Sequence, residues 1–497
     1  MVLDGILLIL NPVCLGLILF GVLVGIVFGA MPGLSATMAV VLFLPMSFGM
    51  QPMNGIALLV GLYLGGISGG LITAILLKIP GTPSSIATVF DGGPMADKGE
   101  AGKALGAGIL YSFLGGLFSI FALIFISPSL ARITLKFAPA EYFAIAVFSL
   151  TIIASLSGKS LVKGLLSGVF GMALSLVGMA PLDSFTRFTF GNYQLLSGFD
   201  IVVILIGVFA VNDIIVSGFE RRTLATKITK TEFKLKGFGI SWPEFKQQAG
   251  NMIRSSLIGI GIGILPGIGG STAGLLAYTA TKNASKYPEK FGTGVVDGVI
   301  ASETANNAVI GGSLIPLLTM GIPGNTVTAI FLGGLMIHGI SPGPLIFVKS
   351  GDIMYGIFTA LIVANIFMIV FETAGLKWFV RLLDIPKHLL LPVIMVLCIV
   401  GSFSSSSRIF DVWSVVAFGL IGVFFKKMGM PTTPLIIGVI LGPMAEENLR
   451  RALMASGGNW FVFVTRPISA VFLGIAAVSL FMSLKRHWDS YKTAPAA

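Results

Sequence analysis

Long apolar runs without a single charge set the pattern of this chain. Residues 5–77, 104–131, 255–281, 304–337 and 353–371 carry no Asp, Glu, Lys or Arg, and each matches or exceeds the roughly 20 residues an α-helix needs to cross a bilayer. The first run is long enough for more than one crossing. Apolar segments fall at 12–48, 54–78, 104–127, 139–157, 161–181 and 200–218, then at 253–280, 295–318, 322–337, 353–374, 389–407, 411–425, 431–445 and 466–484. This pattern predicts an all-α polytopic membrane protein with about 12 transmembrane helices plus shorter re-entrant or broken ones. One stretch breaks it. Residues 220–248 hold Arg221, Arg222, Lys227, Lys230, Lys234, Lys236 and Lys246 against Glu220, Glu232 and Glu244. The expected organisation is a first transmembrane repeat at 1–219, a basic cytoplasmic linker at 220–252 and a second repeat at 253–497.

Pro-Gly pairs interrupt the apolar runs at corresponding places in the two halves. Gly25, Gly29, Pro32, Gly33 and Thr37 align at one constant offset with Gly259, Gly263, Pro266, Gly267 and Ser271. A second pair comes next in the same order: Ile79-Pro80-Gly81-Thr82 and Ile322-Pro323-Gly324-Asn325. Two motifs recurring in order indicate an internal repeat. Proline removes a backbone donor and glycine permits unusual dihedrals, so each pair breaks the helical ladder and frees N–H and C=O groups at membrane depth. Such groups are tolerated only where protein or a water-filled cavity satisfies them, and secondary transporters bind substrate at breaks of this kind. The loop after the first motif is uncharged, whereas the loop after the second carries Lys282, Lys286 and Lys290. The repeats therefore read as inverted, with 16–48 and 252–281 as re-entrant hairpins or, alternatively, broken spans.

Composition narrows the function classes. The chain is 55% hydrophobic and 11% charged, far below the roughly 25% charged residues of soluble domains. Its net charge of +11 lies in short loops, as expected of cytoplasmic loops and not of a nucleic-acid-binding surface. Cys14 and Cys398 sit in apolar runs, and His338, His388 and His487 are scattered. Neither disulfides nor a transition-metal cofactor is expected. No GxxxxGK[ST] motif occurs, which argues against ATP hydrolysis.

Candidate binding groups cluster at the breaks. Beside Pro32, Gly33, Pro80, Gly81, Pro266, Gly267, Gly270, Pro323 and Gly324 stand Ser35, Thr37, Thr82, Ser84, Ser271, Thr272, Asn325 and Thr326. These side chains can complete a carboxylate or sodium site, or simply cap helix ends. Lys78 precedes one break and either faces an anionic substrate or snorkels to the interface. Glu303, Asn306 and Asn307 share a helical face, suited to ion or substrate coordination or to bridging helices. Glu372 reads as structural.

Several of these motifs carry a family resemblance. Pro32-Gly33, Pro80-Gly81-Thr82-Pro83, Asp91-Gly92-Gly93-Pro94, Glu303-Thr-Ala-Asn306-Asn307-Ala, Gly321-Ile-Pro323-Gly324-Asn325 and Leu441-Gly-Pro443-Met-Ala-Glu446-Glu447-Asn448 together resemble the large membrane subunit of the tripartite tricarboxylate transporters, the TctA family, over about residues 15–470. The resemblance implies a multi-pass protein of the bacterial inner membrane that is not an enzyme. It also implies uptake of a small tricarboxylate or dicarboxylate driven by an ion gradient, sodium or alternatively proton. The implied partners are a small membrane subunit and a periplasmic solute-binding protein. Rival readings are a passive anion channel and an intramembrane serine protease built on Ser68 in Gly66-Ile67-Ser68-Gly69. The inverted topology makes a direct prediction: single cysteines placed at Gln51 and Lys230 label from opposite sides of the membrane, and labelling of both from one side overturns it.

Overall fold

In the computed structural model, residues 2–156, 160–219, 239–382 and 387–492 are described, and helices dominate them. Among the described residues, seven helices are long and apolar enough to cross a membrane: Pro12–Ala30, Pro52–Leu76, Ala101–Thr134, Ile201–Gly218, Gly351–Ala374, Ile409–Lys427 and Pro467–Lys485. Ala36–Ser47, Pro139–Ile153, Leu161–Ser175, Thr326–Ile337 and Leu390–Ser404 are apolar but shorter. The polytopic, all-α class expected from the apolar runs is what the chain adopts. The strand pairing among the described residues is a two-residue antiparallel ladder, Gly178–Met179 with Thr186–Arg187. Most of the basic linker, residues 220–238, lies outside the described residues. Its described end forms the short helix Trp242–Gln247, begun by a reciprocal cap between Ser241 and Glu244. Lys103 bonds Glu244 at 2.5 Å, and that ammonium, with the Ser241 N–H, holds the Glu244 carboxyl down at about 2.

Contacts divide the chain into two compact units, and each draws on both halves of the sequence. One comprises Met1–Ala131 with Asp213–Ser405, the other Arg132–Asn212 with Ser406–Ala497. The second unit packs Pro139–Leu156 against Thr432–Ala455 through Ala146, Ile153, Ile437, Leu441 and Ala445. Arg187 bonds Glu446 at 2.5 Å and Arg466 bonds Glu141 at 2.5 Å. None of the candidate residues lies in it.

All of them lie in the first unit, whose main helices are α1 (Pro12–Ala30), α2 (Ala36–Ser47), α3 (Pro52–Ser68), α4 (Gly70–Leu76), α5 (Ile86–Asp97), α6 (Ala101–Thr134), α7 (Ala249–Ile264), α8 (Gly269–Ala284), α9 (Val296–Met320), α10 (Thr326–Ile337) and α11 (Gly351–Ala374). The Pro-Gly pairs stand between elements, as the sequence requires. Pro32-Gly33 separates α1 from α2, Pro80-Gly81 separates α4 from α5, Pro266-Gly267 separates α7 from α8, and Pro323-Gly324 separates α9 from α10. Local chemistry sets the boundaries. Asn11 caps α1 by accepting from Val13 N–H at 3.0 Å, and Pro12 occupies the first turn, where no donor is needed. At the end of α9, Gly321 takes φ +75°, the left-handed conformation in which a glycine closes a helix.

Glycine seams hold this unit together. A Cβ added at Gly25 would lie 2.7 Å from the Leu62 carbonyl oxygen, and at Gly29, Gly65 or Gly69 it would collide with the carbonyls of Gly66, Val22 or Ile26. The α1 and α3 backbones are therefore in direct contact, an approach that small residues alone permit in a membrane. The α7–α9 seam repeats it in register. Gly259 meets Ala305 O, Gly263 meets Val309 O and Gly312 meets Ile260 O. These are the counterparts, at constant numbering offsets, of Gly25 on Leu62, Gly29 on Gly66 and Gly69 on Ile26. Gly81 on Gly29 and Gly324 on Gly263 extend the match to the breaks. Gly65→Ala should force α1 and α3 apart at a cost of about 1–3 kcal/mol, seen as an earlier thermal unfolding midpoint in detergent. Gly16→Ala, where an added Cβ meets nothing within 4 Å, should leave the midpoint unchanged or raise it.

Candidate functional site

The four breaks form one connected cluster. Gly81 of the second is seated against the Gly29 carbonyl next to the first. Gly267 N–H of the third donates to the Gly324 carbonyl of the fourth at 2.8 Å, so a group freed by one break is satisfied by another. The second and third meet at Gly270. A carbon added there would lie 2.7 Å from Asn306 Oδ1 and 2.8 Å from Ser84 Oγ.

Caps account for several of the candidate side chains. Ser35 Oγ accepts from Met38 N–H at 3.2 Å, opening α2. Asn325 opens α10: its Oδ1 accepts from Thr328 N–H at 2.9 Å, and Thr328 Oγ1 accepts from Asn325 N–H at 2.9 Å. Its remaining amide protons are drawn to Tyr63, whose Oη stands 3.0 Å from Asn325 Nδ2 and 3.0 Å from Ser313 Oγ. Thr82, buried, pairs with Ser85 at 3.3 Å. Thr272 Oγ1 bonds back to Ile268 O at 3.4 Å. Pro32, Thr37, Pro80, Ser84, Gly267, Ser271 and Thr326 are partly exposed, whereas Pro266, Pro323 and Gly324 are buried.

Lys78 is not gathered into this cluster. Its backbone takes φ +57°, and its half-exposed ammonium pairs with Asp97 at 2.6 Å.

Below the breaks, Glu303 is fully buried in α9. Thr88 donates to one of its carboxylate oxygens, and Ser112 donates to the other at 3.3 Å. Thr88 is also 3.0 Å from Ser302. Asn307 Nδ2 donates to the Glu303 carbonyl at 3.1 Å, a bond within its own helix. Asn306 differs: it is 1% exposed, and neither its Oδ1 nor its Nδ2 has a hydrogen-bond partner. The Glu303 carboxylate lies near the Asn306 amide without hydrogen-bond geometry.

Sequence reasoning passed over Tyr63, Thr88, Ser112 and Ser313, because single hydroxyls in apolar runs signal nothing until a partner from a distant helix is brought beside them. The role of Asp91 was equally hidden in its motif. Its Oδ1 accepts from the N–H groups of Gly292, Gly294 and Val295 at 2.9, 2.8 and 3.0 Å, and so fixes the turn that begins α9. Ser68, on which the protease reading rests, donates its hydroxyl to Glu372 Oε2 at 2.9 Å, and His338 Nε2 stands 3.2 Å from Ser47 Oγ.

Comparison with known proteins bears on the whole of this cluster. The family described as "Tripartite tricarboxylate transporter TctA family" matches residues 15–437. The chain belongs to the TctA family. The matched span includes all four breaks and both glycine seams of the TctA-type chain. Over 477 residues it is 36% identical to an "Uncharacterized 52.8 kDa protein in TAR-I ttuC' 3'region" of Agrobacterium vitis, covering 96% of this chain and 94% of that protein. It is 37% identical over 223 residues to an "Uncharacterized protein in TAR-II ttuC' 3'region" of the same organism, covering 45% of this chain and 92% of that protein. No solved structure matches. Within this TctA-family fold, Asp91→Ala strips the acceptor from three backbone donors and should cost about 1–3 kcal/mol. Thermal unfolding in detergent checks this, and Asp91→Asn, which keeps an acceptor, should lose less.

Proposed function

We propose that this chain is the large permease subunit of a binding-protein-dependent secondary transporter that carries a small dicarboxylate or tricarboxylate into a bacterial cell across the inner membrane. The observation that carries the proposal is the cluster of four helix breaks in a chain of a tripartite transporter family. Each break ends one helix and starts another, so helix termini gather at the cluster. N–H groups at half-helix N-termini favour an anion, and carbonyls and hydroxyls suit a sodium ion. A carboxylate moved through a low-dielectric interior without such compensation would meet a large desolvation penalty. Sodium, or alternatively a proton, is the coupling ion of this reading, and alternating access exposes the cluster to each side in turn.

A small membrane subunit and a periplasmic solute-binding protein are the partners, because nothing in the chain's apolar segments provides a soluble domain to capture dilute solute. Reconstituted alone, the chain should take up carboxylate slowly, and adding both partners under an imposed sodium or proton gradient should drive accumulation. Full-rate uptake without the binding protein contradicts the tripartite reading. Equilibration without accumulation, even with partners and gradient, favours the passive anion channel.

A further inference from the structure

The two repeats place equivalent residues around their breaks, and the two sets are chemically unequal. The register of the glycine seams pairs Tyr63 with Asn306, Ala36 with Gly270 and Val327 with Ser84. In the first set everything is closed. Tyr63 Oη lies 3.0 Å from both Asn325 Nδ2 and Ser313 Oγ, and Ala36 and Val327 are buried apolar side chains. In the second set, phenol, methyl and isopropyl groups become a carboxamide, a hydrogen and a hydroxyl. Asn306 is 1% exposed, and neither amide atom makes a hydrogen bond of normal geometry although the Glu303 carboxylate lies beside it. Ser84 and Gly270 are partly exposed, and a carbon at Gly270 would stand 2.7 Å from Asn306 Oδ1 and 2.8 Å from Ser84 Oγ. Gly270 belongs to the first turn of the 16-residue helix α8, where N–H groups have no intrahelical acceptor.

We infer that Asn306, Ser84 and the first turn of α8 form the subsite for one carboxylate group of the transported anion, and that its counterpart around Tyr63 is a structural lock with no ligand. The inference rests on the transport reading above. Leaving a buried carboxamide unbonded is unfavourable; Asn306 turns Oδ1 toward Gly270, and a flip of the same-shaped amide brings Nδ2–H there, so that a carboxylate oxygen is the acceptor that it, the Ser84 hydroxyl and the α8 N–H groups can share. Gly270 keeps this approach open, because any side chain there would fill it. Internal symmetry thus supplies two sites in outline, and side-chain chemistry leaves one of them in use.

The test uses the chain with its two partner subunits. Radiolabelled succinate, malate and citrate first identify a transported probe in wild-type protein. Pro83→Cys, at an exposed position beside Ser84, is then placed in a Cys14→Ser, Cys398→Ser background, and the slowing of its modification by a small methanethiosulfonate reagent reports probe binding. Saturating probe should slow modification. Adding Asn306→Ala or the isosteric Asn306→Asp should raise the half-protecting probe concentration about 10-fold or more. Tyr63→Phe should lower the thermal unfolding midpoint yet leave that concentration within about twofold, since it breaks only the lock. Modification indifferent to the probe, unchanged protection in both Asn306 variants, or an equal loss in Tyr63→Phe overturns the subsite. Failure of wild type to take up any of the three acids overturns the transport reading itself, and the inference with it.

Discussion

Backbone polar groups cannot be left bare inside a bilayer, and that constraint governs this protein. Four Pro-Gly breaks expose such groups, and the fold answers by bringing the breaks together so that they satisfy or cover one another. The Gly267 N–H donating to the Gly324 carbonyl at 2.8 Å is the most direct instance. The N–H groups of Met38, Thr328 and Asn325 are met by the side chains of Ser35, Asn325 and Thr328 acting as caps.

Bringing the breaks together requires the helices that carry them to touch backbone to backbone. Lipid offers little hydrophobic drive for helix association, so close van der Waals contact has to supply it. That is the physical reason for glycine at 25, 29, 65 and 69 and again at 259, 263 and 312. The same register in both seams ties the geometry of one set of breaks to that of the other. A symmetric frame then becomes a tool for asymmetry, since replacing Tyr63 by Asn306 at the equivalent place changes a satisfied hydroxyl into an unsatisfied amide.

Charge is handled differently from polarity. Lys78 is paired with Asp97 at a half-exposed position, and Glu244 with Lys103 near the helix Trp242–Gln247. Glu303 is buried among hydroxyls from Thr88 and Ser112, with no ion pair to it among the described residues. On the proposed reading, the part that meets an anion presents dipoles and hydroxyls, which can be arranged without the desolvation penalty that a buried ammonium would bring.

By itself the sequence determined the features that local rules govern. Charge-free runs set the all-α, polytopic class, Pro-Gly pairs marked where helices stop, and the constant offset of the paired motifs anticipated the matching register of the two glycine seams, because helix formation and breakage depend on nearby residues. Ser35 and Asn325 were legible as residues at breaks, but whether they cap a helix or face a ligand was not, since both roles need the same atoms. The tertiary structure shows the caps. It paired Lys78 with Asp97, committed Asn325 to Thr328 and Tyr63, bound Asp91 to three backbone donors two hundred residues away in sequence, and left the Asn306 amide without a hydrogen bond. Hydrogen bonds between distant helices depend on register and rotamer across a packed interface, and no sequence spacing encodes which of two polar side chains will find its partner already there.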